Sequence, residues 1–386
     1  MQDAIPKRFY SLDAMRGLAA IVVVISHWPQ FFFSTEKFPA LHPLYRDTSY
    51  ISTYTATRLP FSNALFVCYN SGWLAVDLFF GLSGFIFYWL YSTKLKNSSI
   101  TTWEFFVARF SRLYPLHLLT LLLIVCIQLF SQYAAGTSFF FYNHNSYFQF
   151  FLHLLLISSW GIGDHVSFNL PIWSVSVEVA LYAMFFILCR FLPIRNAVLL
   201  FVSAIGLFFV FRFNTQMGHG IFSFFLGGYT YRIYTWLVSN SRTKAVLPYL
   251  FALSAIMWTA AIIATYHRGN MLESAPFFWR FTPLPAVLLF QLTILTLAVA
   301  ETRRGTLGRR ISMLGDISYS VYLLHFPIQL SILTAAIYFG INREVFYSHY
   351  FFFGFFTLVL TTSMISHYYF ERPVQRVLRQ TWGNKP

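Results

Sequence analysis

The chain has 386 residues, 57% of them hydrophobic and 10% charged, with a mean hydropathy of +0.58. A soluble globular domain carries roughly 25% charged residues, so this composition excludes one and leaves no room for a sizeable soluble domain beside the apolar segments. Lys and Arg number 27 against 13 Asp and Glu, a net charge of +14; in so apolar a chain that excess belongs to cytoplasmic loops and anionic lipid, not to nucleic acid.

Apolar stretches of near-spanning length occur at 11–29, 73–91, 113–131, 173–190, 196–211, 218–237, 246–266, 283–300, 313–338 and 350–370, which predicts ten transmembrane helices. Lys7 and Arg8 precede the first run, but Arg16 and His27 interrupt it and no small-residue cleavage site follows, so it reads as a retained span. A further stretch at 149–161 is too short to cross and suits an interfacial or re-entrant piece. The basic clusters at Lys94, Lys96, Arg109 and Arg112, at Arg303, Arg304, Arg309 and Arg310, and at Arg372, Arg376 and Arg379 all face the cytoplasm with the N-terminus only if the number of crossings is even. Ten satisfies this and puts both termini inside, with 149–161 outside. Arg46, Arg58, Arg268 and Arg280 then fall in outer loops, against the rule. The segments 30–72 and 132–172 read as ordered outer lids, their aromatics either forming an interfacial belt or lining a groove for a bulky acceptor. The expected architecture is all-α, one polytopic membrane-embedded domain over 1–386. Cys68, Cys126 and Cys189 lie far apart in apolar surroundings and read as small core residues; neither a disulfide framework nor a metal site is expected.

A charge at the centre of a span costs roughly 2.5–3.5 kcal/mol on insertion scales, so the few ionisable groups there carry information. Arg16 and His27 are eleven residues apart on the first span, which returns them to nearly one face about 16 Å along the axis. Asp13 sits three residues before Arg16 and can pair with it. Asp77 opens the second span and Glu178 the fourth, both in the outer half with His27; a carboxylate beside an imidazole fixes its tautomer, although either can equally pair with a buried Arg or cap a helix. Trp173 and Ser174 lie about one turn from Glu178. Arg109 and Arg112 share a helix face and suit either a phosphate clamp or snorkelling to headgroups. With Arg16 they form an inner basic group. His325 falls near mid-membrane beside Pro327, as a site wall or as packing. His153 is a weaker candidate, and His117 and His367 read as interfacial.

The ordered set Leu12-Asp13, Arg16-Gly17 and His27; Phe80-Gly81-Leu82-Ser83-Gly84-Phe85; Arg109 and Arg112-Leu113-Tyr114-Pro115; Trp173-Ser174 and Glu178; Ile317-Ser318-Tyr319, Tyr322-Leu323, His325 and Pro327; and Glu371-Arg372-Pro373 resembles the acyltransferase-3 family, integral-membrane enzymes that O-acylate sugars of the bacterial envelope. The resemblance spans nearly the whole chain. It departs at Val179, where many members carry a second acid. It implies a ten-helix fold in the bacterial inner membrane, an acyl-CoA donor (most often acetyl-CoA) and a glycan or lipid-linked sugar acceptor. On this reading Arg16, Arg109 and Arg112 hold the donor phosphates, His27 takes the proton of the attacking hydroxyl or forms an acyl-His intermediate, and Glu178 orients the imidazole or the acceptor. Asp13, Asp77, Ser83, Trp173, Ser174, Tyr319 and His325 support the site or substrate. The rival readings are a transporter or flippase of a lipid-linked sugar or small anion, which also uses buried charge, and a non-catalytic scaffold, which leaves that charge unexplained.

Overall fold

The computed structural model describes residues 5–32, 57–135, 145–162, 167–193, 195–213, 215–267 and 283–383, and these contain helices and no strand. The helices are α1 (Tyr10–His27), α2 (Phe66–Ser71), α3 (Ala75–Lys96), α4 (Thr102–Ala135), α5 (Tyr147–Leu154), α6 (Ile172–Phe191), α7 (Asn196–Phe213), α8 (Gln216–Ser239), α9 (Thr243–Tyr266), α10 (Pro283–Arg304), α11 (Met313–Asp316), α12 (Ser318–Tyr338), α13 (His349–Ile365) and α14 (Arg372–Trp382). Among the described residues, nine helical segments are long and apolar enough to cross a membrane, which makes the chain a multi-pass membrane protein. The tenth expected span, 218–237, is helix α8. It is long enough, but more polar, and it buries much of its surface against α3, α7 and α10, where protein rather than lipid is its solvent. Helix α9 is the converse, apolar and almost wholly exposed.

Two expected spans differ in outline. The run 313–338 is broken at Ile317 into α11 and α12, and the last span continues past 370 through a π-helical turn, Ser366–Glu371, into α14. Of the outer segments, residues 33–56, 136–144 and 163–166 lie outside the described residues, as do Arg46, Arg268 and Arg280. Arg58 is described: it pairs with Glu344 and lies over the ring of Tyr347.

The chain divides into two compact units. One comprises Met1–Val22, Ser71–Ser99 and Ala180–Ser318; the other comprises Val23–Asn70, Ile100–Val179 and Tyr319–Pro386. Helices α1 and α6 each contribute to both.

In the first unit α3 crosses α8 at glycines. A Cβ on Gly84 would strike the Phe224 carbonyl, and one on Gly227 the Gly81 carbonyl, so the Phe80–Phe85 motif that contains Ser83 is a close-packing surface. Contacts advance together along the two helices, from Asp77 with His219 to Tyr88 with Gly228, so α3 and α8 are parallel. Parallel second and sixth spans require an odd number of crossings between them, and α4, α6 and α7 supply three without the stretch at 149–161. Consistently, its helix α5 has only 8 residues, about 12 Å of rise.

The first turn of α1 is held by Glu301 of α10. This fully buried carboxylate accepts from the backbone N–H of Tyr10 (2.8 Å) and Ser11 (2.9 Å) and from the Ser11 hydroxyl (2.6 Å). It satisfies donors that a helix start leaves without partners and lies at the positive end of the helix dipole.

In the second unit, residues following His27 are fastened by aromatic packing. Trp28 donates to the Phe346 carbonyl at 3.2 Å and sits among Phe31, Phe352 and Phe355, while Phe31 stacks on Phe346 with centroids 4.5 Å apart. Helix α14 lies along α4: Arg379 reaches Ser111 Oγ at 3.3 Å, and Trp103 donates to the Trp382 carbonyl at 2.6 Å.

Candidate active site

His27 ends α1, and α12 holds it at two points one turn apart. His27 Nδ1 lies 2.7 Å from His325 Nε2, with the ring planes 19° apart, and Gln329 Nε2 donates to the His27 carbonyl at 2.9 Å. The second bond satisfies one of the carbonyls that a helix end leaves open. Both imidazoles are buried, His325 completely.

The hydrogen-bond partners determine the tautomers. His325 Nδ1 faces the Val321 carbonyl at 3.1 Å. A carbonyl only accepts, so this nitrogen carries the proton and His325 Nε2 of the neutral ring presents a lone pair. His27 must then donate through Nδ1, which places the lone pair of neutral His27 on Nε2. That arrangement is the one a general base needs, and it arises from a second imidazole where the sequence led us to expect a carboxylate.

Beside His325 on α12, the Tyr322 ring lies 6.1 Å away between centroids. Its hydroxyl meets Ser174 Oγ at 2.7 Å and the Pro171 carbonyl at 3.1 Å. Glu178, half-buried one turn beyond Ser174, is close enough to act electrostatically on Tyr322. Trp173 is half-buried in the same first turn of α6. Tyr319 serves the packing of the helices instead, since its hydroxyl donates to the Leu113 carbonyl at 2.6 Å and ties α12 to α4.

Arg109, half-buried, and Arg112, exposed, lie one turn apart near the start of α4. Docking of α14 brings Arg379 to the same stretch of helix, with Ala108 O and Ser111 Oγ as its partners. Nothing in the local sequence marks that approach.

Arg16 lies in the first unit and has structural partners there. Its Nη2 and Nε donate to the Gly315 carbonyl at 2.7 and 3.2 Å, Nε also reaches Ser318 Oγ at 3.1 Å, and Nη2 reaches Asp13 at 3.2 Å. Arg8 bonds Asp13 at 2.7 Å and Asp316 at 2.9 Å. These four charges hold the α11 turn against α1, where a Cβ on Gly315 would strike the Asp13 backbone.

Asp77 supports an imidazole other than the one expected. Both its oxygens lie 3.2 Å from His219 Nδ1 on α8, and Ser223 donates to Oδ1 at 3.0 Å. His219 belongs to no motif and joins Asp77 across 142 residues, which explains why sequence reading missed it.

His117, expected at an interface, is completely buried and donates from Nε2 to the His153 carbonyl at 2.8 Å. His153 in turn donates to Ser167 at 3.0 Å, which donates to Gln149 at 3.4 Å. Burial, with the neighbouring His117, pushes the His153 pKa down to about 3. His367 is half-buried near Glu371, at 3.9 Å. Of the cysteines, only Cys189 is buried; Cys126 is exposed on α4. Among the described residues no three His, Cys, Asp or Glu side chains converge as metal ligands would.

A family profile described as an acyltransferase domain matches residues 9–367. The protein named "Protein 2 in picA locus" from Rhizobium radiobacter is 37% identical over 32% of this chain and 47% of its own length. The ORF330 product of Acidianus two-tailed virus, which carries an acetyltransferase designation, is 24% identical over 72% of this chain and 78% of its own. Acyltransferase MdmB from Streptomyces mycarofaciens is 30% identical over 49% of this chain and 42% of its own. The chain thus spans less than half the length of two of these three relatives. No solved structure matches.

Proposed function

Because the chain belongs to the acyltransferase-3 family and is a membrane acyltransferase, we propose that it transfers an acyl group, acetyl in the simplest case, from acyl-CoA to a hydroxyl of a cell-envelope or secreted glycan. On this reading it works in a bacterial inner membrane with both termini cytoplasmic, and its acceptor is a glycan or a lipid-linked sugar. The observation that carries the reading is the tautomer of His27, fixed by His325 so that Nε2 bears a lone pair.

The chemistry follows from that atom. His27 Nε2 takes the proton of the acceptor hydroxyl while the oxygen attacks the thioester carbonyl. The new C–O bond forms, the C–S bond breaks, and the CoA thiolate leaves; the proton on His27 then passes to the thiolate or to water. Glu178, one turn beyond Ser174, orients the imidazole or the acceptor on this reading. Arg109 and Arg112, with Arg379 beside them, are suited to the donor phosphates, since two guanidinium groups one turn apart grip a diphosphate. Arg16 is better accounted for by the turn it holds.

The test is transfer of label from radiolabelled acetyl-CoA to candidate glycans by the full chain in proteoliposomes. Removing a positioned general base costs about 10²–10⁴-fold, so His27→Ala loses transfer at that level while inserting and folding normally. Near-normal turnover by His27→Ala overturns the assignment. Passage of a labelled lipid-linked sugar without transfer identifies a carrier instead.

A further inference from the structure

Pro327 lies inside α12, two residues beyond His325. In an α-helix the carbonyl of residue 323 takes its hydrogen bond from the N–H of residue 327, and proline has none. The Leu323 carbonyl is therefore left open by its own helix, next to the histidine that fixes the base. Asn169 supplies the missing donor: its Nδ2 reaches Leu323 O at 3.4 Å.

Donation through Nδ2 leaves Oδ1 as the other end of the amide. Asn169 is fully buried, and its Oδ1 makes no hydrogen bond. The amide is turned toward α12, and the oxygen is an unused acceptor. Leaving one buried is costly, so such an atom calls for a partner.

The backbone that delivers Asn169 is itself constrained. Phe168 has φ of 51°, a left-handed conformation that is a genuine outlier for a bulky residue, and its N–H is held by Asn145 Oδ1 at 2.8 Å. Strain of this kind persists only where surrounding structure imposes it, and it clusters at sites of function. Asn169 also stands two residues before Pro171, whose carbonyl receives the Tyr322 hydroxyl.

We propose that Asn169 Oδ1 is an acceptor-binding atom: it receives a hydrogen bond from a hydroxyl of the glycan, adjacent to the hydroxyl that His27 deprotonates. The atom only accepts, so its ligand must bring an O–H or N–H. It lies against the α12 segment that carries Tyr322 and His325, where the acceptor is expected rather than the donor phosphates. The proposal rests on the acyltransferase reading above and names the group that orients its acceptor.

The experiment separates the two ends of the amide. Transfer is assayed with radiolabelled acetyl-CoA and the glycan that the wild-type chain labels, and thermal stability is measured in parallel for Asn169→Ala, Pro327→Ala and the double variant. Pro327→Ala restores an N–H to Leu323 O, making the Nδ2 donor dispensable. The double variant is expected to match Pro327→Ala in stability, while its acceptor KM remains about tenfold higher, the loss of one neutral hydrogen bond. Should the acceptor KM recover together with stability, Asn169 is only a prop for the proline break and the proposal is overturned. The single variant Asn169→Ala gives an independent reading: a rise in acceptor KM with acetyl-CoA KM unchanged supports it, and a rise in acetyl-CoA KM instead rejects it. If the wild-type chain labels no glycan at all, the acyltransferase reading itself fails, before any variant is compared.

Discussion

Two buried imidazoles, His27 and His219, are each met at Nδ1 by a side chain, and the two side chains are of opposite kinds. His27 leans on another imidazole, His325, itself fixed by a backbone carbonyl. His219 leans on the Asp77 carboxylate, which Ser223 also bonds. The first arrangement uses uncharged groups throughout and does little except choose which nitrogen keeps its lone pair. The second joins α3 to α8 where the two helices enter their glycine-lined crossing, and there a carboxylate buried in the membrane obtains the donors it requires. On the proposed reading the first pair serves a proton transfer, while the second joins two helices, although both look alike as residue types.

The largest effect expected from this contrast is at His325. Replacing it by Leu removes the acceptor that holds His27 Nδ1–H, so transfer falls by about 10²-fold, the low end of general-base effects. His325→Gln, whose amide oxygen can accept the same bond, recovers part of the loss in a radiolabel transfer assay. Equal loss in both variants would mean that His325 does more than choose a tautomer.

A smaller effect is expected at Asp77. Asp77→Asn leaves His219 and Ser223 with a weaker partner and lowers stability by about 1–3 kcal/mol, seen as a lower thermal midpoint in detergent, while transfer by the folded fraction stays within about threefold, as for a change that leaves the reacting groups in place. A loss of turnover comparable with that of His325→Leu would erase the distinction between the two pairs.

The smallest effect on transfer is expected at a third imidazole. His153 outside the spans is buried neutral, with a pKa near 3 against about 6.5 for an unfolded chain. Between those values the unfolded state binds the proton and the folded state does not, so stability falls as pH is lowered through that window. His153→Asn should flatten the fall in thermal midpoint between about pH 6.5 and 4; an unchanged slope would show that other groups govern it.

The helical spans are legible because a bilayer demands about 20 apolar residues in a row, a signal contained in each segment by itself. The exception, α8, shows the limit of that signal, since burial against other helices relaxes the demand. His27 and His325 stand out as ionisable groups in apolar runs. Their mutual bond does not, nor does the pairing of Asp77 with His219, because contacts across 298 and 142 residues leave no periodic trace. Asn169 is illegible for another reason: its bond to the Leu323 carbonyl answers a donor that Pro327 lacks, on a helix far along the chain. Arg16 reads as a phosphate ligand from charge alone, and only the folded chain reveals the Gly315 carbonyl it holds.

The cap on α1 constrains the order in which the protein can mature. Glu301 is made 291 residues after the Tyr10 amide it receives, and His325 emerges 298 residues after His27. While the ribosome is still adding the intervening spans, the first helix has neither Glu301 at its opening turn nor His325 beside its histidine. On the proposed reading the His27 tautomer is set only once α12 has been made, so nascent chains halted before α10 should be inserted but without transfer activity.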